Sequence, residues 1–334
     1  MQHLRDALEH RQTGIYFGAV AVAALAALFD PGTTALAGVV NPALAFMLFV
    51  TFLQVPLSEL GRAFTDMRFL AALLATNFVV VPLLVAGLLP FVPDQPLVRL
   101  GVLLVLLAPC IDYVVTFSHL GRADARLLLA ATPVLLVAQM LALPLYLGLL
   151  LGAEAAALVK PAPFIDAFVW LIAVPLLLAF AVQLWAGRSR GGARAGRDRT
   201  IDALGLLPVP ATALVLFVVV ASVVPQLGRA ADAALGVIPV YVAFALLAPI
   251  SGWLVARLLR LAPPAGRAVA FSGGTRNSLV VLPMALAVPG ALPLLPVVIV
   301  TQTLVELVAE LVYVRVIGRL GARREATLPV SSNS

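Results

Sequence analysis

Charge is scarce in this chain, and cysteine and histidine are scarcer still. Of its 334 residues 11% are Asp, Glu, Lys or Arg, one is Cys and three are His. A single thiol excludes any intramolecular disulfide. Two of the three His, His3 and His10, lie at the N-terminus, so the residues of a metalloenzyme cluster are lacking. The shortage of charge also excludes a soluble globule. With 62% hydrophobic residues and a mean hydropathy of +1.08, the chain has too little polar surface to coat a domain of this length.

What is abundant is apolar sequence in long runs. Windows of about 16 to 26 residues stand at 14–30, 36–58, 70–91, 98–120, 127–151, 164–187, 204–225, 235–259, 268–290 and 292–317. About 20 residues cross the hydrocarbon core, so these windows predict an all-α polytopic membrane protein of ten transmembrane helices. The first window runs into Phe29-Asp30-Pro31-Gly32 without a small-x-small cleavage site, and it reads as a span rather than a signal.

Basic residues give the orientation. With a cytoplasmic N-terminus, the inside segments hold Arg5, Arg11, Arg62, Arg68, Arg122, Arg126, the run from Arg188 to Arg199, Arg257, Arg260, Arg267, Arg315, Arg319, Arg323 and Arg324. The outside keeps Arg99, Lys160 and Arg229, and Arg276 falls inside a span. This asymmetry predicts a plasma-membrane protein with both termini cytoplasmic. It accounts for the net charge of +6 without a nucleic-acid partner, the Arg/Gly run from Arg188 to Arg199 being a membrane-surface loop. Ten spans divide into five plus five around the outside loop from Gly152 to Pro163. Five is odd, so the second half enters from the opposite side and an inverted repeat is expected.

Two windows are interrupted by residues that a buried helix does not favour. The fourth carries Pro109-Cys110-Ile111-Asp112 and the ninth Ser272-Gly273-Gly274-Thr275-Arg276-Asn277. Proline removes a backbone donor and paired glycines weaken a helix, so both spans are expected to open at mid-depth and to cross there. Matched discontinuous spans in the two halves point to the substrate site of a secondary transporter.

The polar residues at that depth are the candidate site. An ionised Asp112 costs at least about 2.5–3.5 kcal/mol in the bilayer centre, and Arg276 cannot shed its proton. The two are expected to face each other, with a purely structural ion pair as the plainer reading. The restarting half-helices aim their N-termini at the midplane, with Asn277 and Ser278 as caps. Together with Arg276 this favours a small inorganic or organic anion. Ser272, Thr275 and Asn277 join Cys110, Asp112 and Arg276 as substrate-binding candidates. Cys110 is either a small packing residue or a soft ligand for a metalloid, since one thiol can bind and release where three would trap.

Other residues take lesser roles. Glu306 competes with Asp112 as the partner of Arg276 and as a proton carrier, while Glu310, one turn on, is free to pair with cytoplasmic Arg. Asn77, Gln139 and Ser278 are candidates to line the cavity. An intramembrane enzyme is not expected: Cys110 and His119 are nine residues apart, roughly 13 Å along a helix, beyond hydrogen-bonding reach. Nothing in the sequence calls for a cofactor.

The stretch Ala-Pro-Cys-Ile-Asp-Tyr-Val-Val-Thr-Phe-Ser-His-Leu-Gly-Arg-Ala-Asp (108–124) resembles the fourth span of arsenical-resistance permeases in the bile acid:sodium symporter superfamily. The segment from Phe271 to Pro289 is similar to its ninth-span crossing region. The resemblance implies a core bundle from spans at about 70–151 and 235–317 and a panel bundle from spans at about 14–58 and 164–225. It implies that Cys110 matches a Cys that binds trivalent arsenic. The arsenite branch has a functional Glu in the ninth span where this chain has Leu279 or its neighbours. The sodium-coupled branch has a Glu and a Gln ligating sodium where this chain has Ser272 and Arg276. A guanidinium there would replace the ion and leave coupling to protons or to membrane potential. The expected function is export of arsenite or a related oxyanion-like solute in exchange for protons. The alternative is sodium- or proton-coupled symport of an organic anion.

Overall fold

The computed structural model describes residues 2–53, 66–111, 113–151, 166, 169–187, 203–225, 230–286, 288, 290, 291 and 294–321. Among these residues the fold is helical, with one isolated β-bridge and no strand. The long helices are α1 (Gln2–Phe29), α2 (Ala37–Leu53) and α3 (Met67–Phe91), then α4 (Pro96–Leu106), α5 (Tyr113–Leu120) and α6 (Ala125–Leu150). They continue as α7 (Val174–Gly187), α8 (Pro208–Val223), α9 (Ala231–Leu258), α10 (Pro263–Gly274), α11 (Ser278–Leu286) and α12 (Leu294–Val316). The loops Gly152–Pro163 and Arg188–Arg199 and the tail after Arg324 lie outside the described residues.

Local chemistry sets the helix starts. Asp66 and Asp124 accept from Phe69 N (3.0 Å) and Leu127 N (3.1 Å), satisfying a free donor in the first turns of α3 and α6. Asp30 with Pro31 opens the 3-10 turn Pro31–Leu36, where Asp30 Oδ1 accepts from Gly32 N at 2.8 Å. The motif Phe29-Asp30-Pro31-Gly32 is therefore a turn between helices.

The polarity of this protein is turned inside out. Large apolar side chains such as Leu28, Leu83, Leu141, Leu149 and Leu258 are exposed on the outer faces, while Asn77, Gln139, Arg276, Glu306 and Glu310 are buried. An apolar coat around a polar interior suits lipid and not water. Pro31–Leu53, Met67–Phe91, Ala125–Leu150, Ala231–Leu258 and Leu294–Arg319 are each long and apolar enough to cross a membrane. Gly14–Phe29, Pro96–Leu106, Val174–Trp185 and Pro208–Val223 are shorter apolar helices. The chain is thus a multi-pass membrane protein built from transmembrane helices.

Helix α1 packs on α8, and α8 and α7 pack on α2. Elsewhere α9 packs along α10 and α12, and α12 lies against α4 and α11. Without a hydrophobic drive between helices in lipid, close backbone approach decides such contacts. At Gly252 an added Cβ would stand 2.9 Å from the Val269 carbonyl of α10. At Gly274 it would stand 2.9 Å from the Tyr313 ring of α12. Gly273 and Gly274 were expected only to weaken the ninth window, yet they also let the end of α10 sit against α9 and α12.

Prolines within α3 and α9 meet one common device. Pro82 has no N–H for the carbonyl four residues back, and the hydroxyl of Tyr146 in α6 donates to that Phe78 carbonyl at 2.5 Å. Pro249 likewise has none for Ala245, and the hydroxyl of Tyr313 in α12 donates there at 2.5 Å. Carbonyl and hydroxyl lie 68 residues apart in both cases. The offset from Pro82 to Pro249 equals that from Tyr146 to Tyr313, and also that from Pro109 to Arg276.

Candidate functional site

Both interrupted windows open, and they cross at the opening. Helix α4 closes at Leu106, and Pro109 steers the preceding Ala108 away from helix. Helix α10 closes at Gly274, after which the β-branched Thr275 is extended at φ −104°, ψ 129°. The two strips pair antiparallel with Pro109 opposite Arg276. Cys110 N donates to the Thr275 carbonyl at 3.1 Å and Asn277 N to the Ala108 carbonyl at 2.7 Å. Each break thereby satisfies backbone groups that the other leaves free, which a nonpolar surrounding requires. Helix α5 restarts at Tyr113 and α11 at Ser278, where Asn277 Oδ1 caps Val280 N at 3.2 Å.

Four half-helix ends consequently meet at one place, and the charges sort themselves among them. The Arg276 guanidinium turns to the C-terminal ends. Its Nη2 donates to the Ser272 carbonyl, to the Gly273 carbonyl at 2.8 Å and to Asn77 Oδ1 at 2.8 Å. Its Nη1 reaches the Leu106 carbonyl at the end of α4 at 3.4 Å. It stacks 5.5 Å from the centre of the Phe244 ring, and the residue is fully buried. A cation at carbonyl-rich helix ends is favoured by the helix dipole, and the aromatic face adds to it. Asn77 reaches this position from the π-helical turn Thr76–Val80 of α3. Its Nδ2 donates to Ser272 Oγ at 2.9 Å and to the Leu73 carbonyl at 3.0 Å, which fixes the amide so that Oδ1 faces the Arg.

The carboxylates stand on the other side of the break, on α12. Glu306 accepts from Tyr113 Oη at 2.5 Å, from Gln302 Nε2 at 2.5 Å and from Arg276 N at 2.7 Å. It therefore partners the Arg276 backbone, while among the described residues the guanidinium donates to neutral oxygens. Glu310 Oε1 lies 2.5 Å from Thr275 Oγ1, within hydrogen-bond distance. Both Glu are buried, so the expected pairing of Glu310 with cytoplasmic Arg gives way to a place at the crossing. The physical reason is depth: one helical turn past Glu306 is still inside the bundle. Thr303 Oγ1 donates to Ser278 Oγ at 2.8 Å and ties α12 to the start of α11.

Cys110, Ser272, Thr275, Arg276, Asn277, Ser278, Asn77 and Glu306 are thus brought together around the crossing. Asp112 and the Leu279 side chain lie outside the described residues. Gln139 is buried in α6, and its amide makes no hydrogen bond among the described residues. Cys110 is buried while His119 is exposed. Among the described residues no group of His, Cys, Asp and Glu is arranged to hold a metal ion. Sequence reasoning passed over Tyr113, Tyr313 and Phe244. Tyr113 had a signal, since it follows the polar break directly; Phe244 had none, because an aromatic in an apolar run is indistinguishable from lipid-facing residues.

No curated protein matches the chain significantly. Residues 41–230 match the Sodium Bile acid symporter family, a span that covers more than half of the sequence. An apolar helical coat, a buried polar crossing of two interrupted segments and this match agree, and the chain belongs to the Sodium Bile acid symporter family of membrane transporters.

Proposed function

We propose that the protein is a secondary transporter of an anionic solute in which Arg276 is a built-in cation, occupying the place where discontinuous helices would hold a coupling metal ion. The observation behind this reading is the set of oxygens around the guanidinium: carbonyls at the ends of α4 and α10 and the amide oxygen of Asn77. Unwound carbonyls and half-helix C-termini are what transporters use to bind sodium. A tethered charge already among them repels a second cation and takes its ligands. Sodium is then not the coupling ion at this position, and protons are carried instead by carboxyls, for which the sequence offers Asp112 and Glu306 and the structure adds the buried Glu310.

In this reading the chain crosses the plasma membrane ten times with both termini cytoplasmic, as an inverted repeat of five plus five. The equal offsets between Pro82 and Pro249, Tyr146 and Tyr313, and Pro109 and Arg276 support the repeat. Helices α1, α2, α7 and α8 form a panel and the others a core, a division supported by the packing of α1 on α8 and of α7 and α8 on α2. Alternating access is the rocking of one bundle against the other about the crossing. Anion recognition falls to the N-terminal ends of α5 and α11 with Cys110, Ser272, Thr275, Asn277 and the Arg276 Nε, which has no hydrogen bond among the described residues. A second reading, export of arsenite, is favoured by the place of Cys110 in the backbone pairing of the crossing.

The test is transport into liposomes carrying the full chain, with a radiolabelled bile acid, a small carboxylate and arsenite as probes. Imposed proton and sodium gradients are compared for each. Proton-driven flux that is indifferent to sodium is the expected result; flux that requires sodium overturns the built-in-cation reading.

A further inference from the structure

Thr275 has one hydroxyl proton and two close acceptors. Its Oγ1 stands 2.8 Å from the Phe271 carbonyl and 2.5 Å from Glu310 Oε1. A carbonyl carries no proton to share. If Glu310 were ionised, one of the two contacts would bring lone pair against lone pair inside a buried site. A proton on Glu310 removes the conflict: Glu310 Oε1 donates to Thr275 Oγ1, and Thr275 donates to Phe271. Two further buried oxygens, Gln302 Oε1 and Glu310 Oε2, accept no hydrogen bond among the described residues. Gln302 lies beside the acids, since its Nε2 donates to Glu306.

The neighbouring acid is different. Glu306 accepts from three donors, which stabilise its carboxylate form. Glu310 has one contact, no cationic partner among the described residues, and a like-charged neighbour one turn away. Titratable groups, one of them charged, face the pair at the crossing. Arg276 stands at the α10–α11 break and Tyr113 on α5, with Cys110 at the bridge; Tyr313 follows on α12 itself. Only the second half of the chain carries these acids. At the offset relating Pro82 to Pro249, the counterparts of Glu306 and Glu310 are Gln139 and Leu143. The helical architecture therefore stands without carboxyls at the matching positions of the first half.

Resting on the transport reading above, we propose that Glu310 is the coupling-proton carrier, its proton held against Thr275 in the conformation described here. Thr275 also accepts from Cys110 N through its carbonyl, so the carboxyl touches the backbone pairing of the crossing itself. Release of the proton to water, through whichever face opens, leaves two carboxylates one turn apart and breaks the relay to Phe271. The crossing is thereby destabilised relative to the alternative arrangement until a proton returns. A proton bound in one conformation and released in the other is what coupling requires.

Infrared difference spectroscopy on the full chain in lipid nanodiscs tests this without any solute. At neutral pH a deuterium-sensitive carbonyl stretch of a protonated carboxylic acid is expected, lost in Glu310→Gln and retained in Glu306→Gln. Glu310→Gln keeps a donor toward Thr275 and is expected to fold. Should it not, Thr275→Val decides, because loss of the acceptor must shift the band to higher frequency. A band that survives Glu310→Gln, or that Thr275→Val leaves in place, overturns the proposal. So does a band abolished by sodium at constant pH, which would assign the pair to a metal cation. Sodium-dependent flux would defeat the built-in-cation reading and leave this band untouched, so the two failures are distinguishable.

Discussion

Replacing Arg276 by Gln removes a charge that is fully buried and hydrogen-bonded to the Ser272 and Gly273 carbonyls and to Asn77 Oδ1, with a longer contact to Leu106. Polar contacts between membrane helices average about 0.6 kcal/mol and reach about 1.7 kcal/mol. Taking the Asn77 contact across helices and the two carbonyl contacts within its own segment on that scale, a charged donor gives about 2–5 kcal/mol in all. Gln recovers about one of them, so a loss of about 1–3 kcal/mol is expected. The cage then consists of carbonyl and amide oxygens with no cation among them, a set that suits sodium. At about 100 times its dissociation constant, sodium would restore about 2.7 kcal/mol. Thermal unfolding of the purified protein, titrated with sodium chloride against choline chloride, measures this directly. The variant is expected to be destabilised and then rescued by sodium, while the wild type is indifferent to it. A wild type stabilised by sodium as strongly as the variant, or a variant as stable as wild type, would refute the assignment of Arg276 as a resident cation.

Other perturbations probe the surroundings of the crossing. Tyr313→Phe strips the donor from the Ala245 carbonyl and should cost about 1–2 kcal/mol of stability. In a Pro249→Ala background the new N–H can take that carbonyl, so a double-mutant cycle should show the cost shrinking; an unchanged cost would sink the carbonyl-rescue account. Gly274→Val drives a side chain into the Tyr313 ring, where even a Cβ stands at 2.9 Å, and a loss of about 1–3 kcal/mol is expected in the same unfolding assay. Cys110→Ser should keep the melting temperature and abolish arsenite flux if the metalloid reading holds; full arsenite flux in that variant removes it.

What the sequence alone determined follows from terms that are local or additive. Apolar runs long enough to cross hydrocarbon marked out a helical membrane protein, because transfer into lipid depends on composition over about 20 residues. The breaks at Pro109 and at Gly273-Gly274 were readable for the same reason, since a missing donor and a flexible backbone weaken a helix wherever they occur. The cap at Asn277 and the gathering of Ser272, Thr275 and Arg276 at one break are likewise properties of a short stretch. Partner choice was decided only by the tertiary structure. Sequence pairs Arg276 with an acid, as charge alone suggests. Of the two acids the sequence offers, Asp112 lies outside the described residues and Glu306 takes the Arg276 backbone N–H, while the guanidinium's hydrogen bonds among the described residues go to helix-end carbonyls and Asn77. Direction is the cause: at a crossing of broken helices, carbonyls collect on one side and free N–H groups on the other, and a buried charge goes to the dipole end that solvates it. Those ends come from residues far apart in the chain, and no local pattern states which way they point.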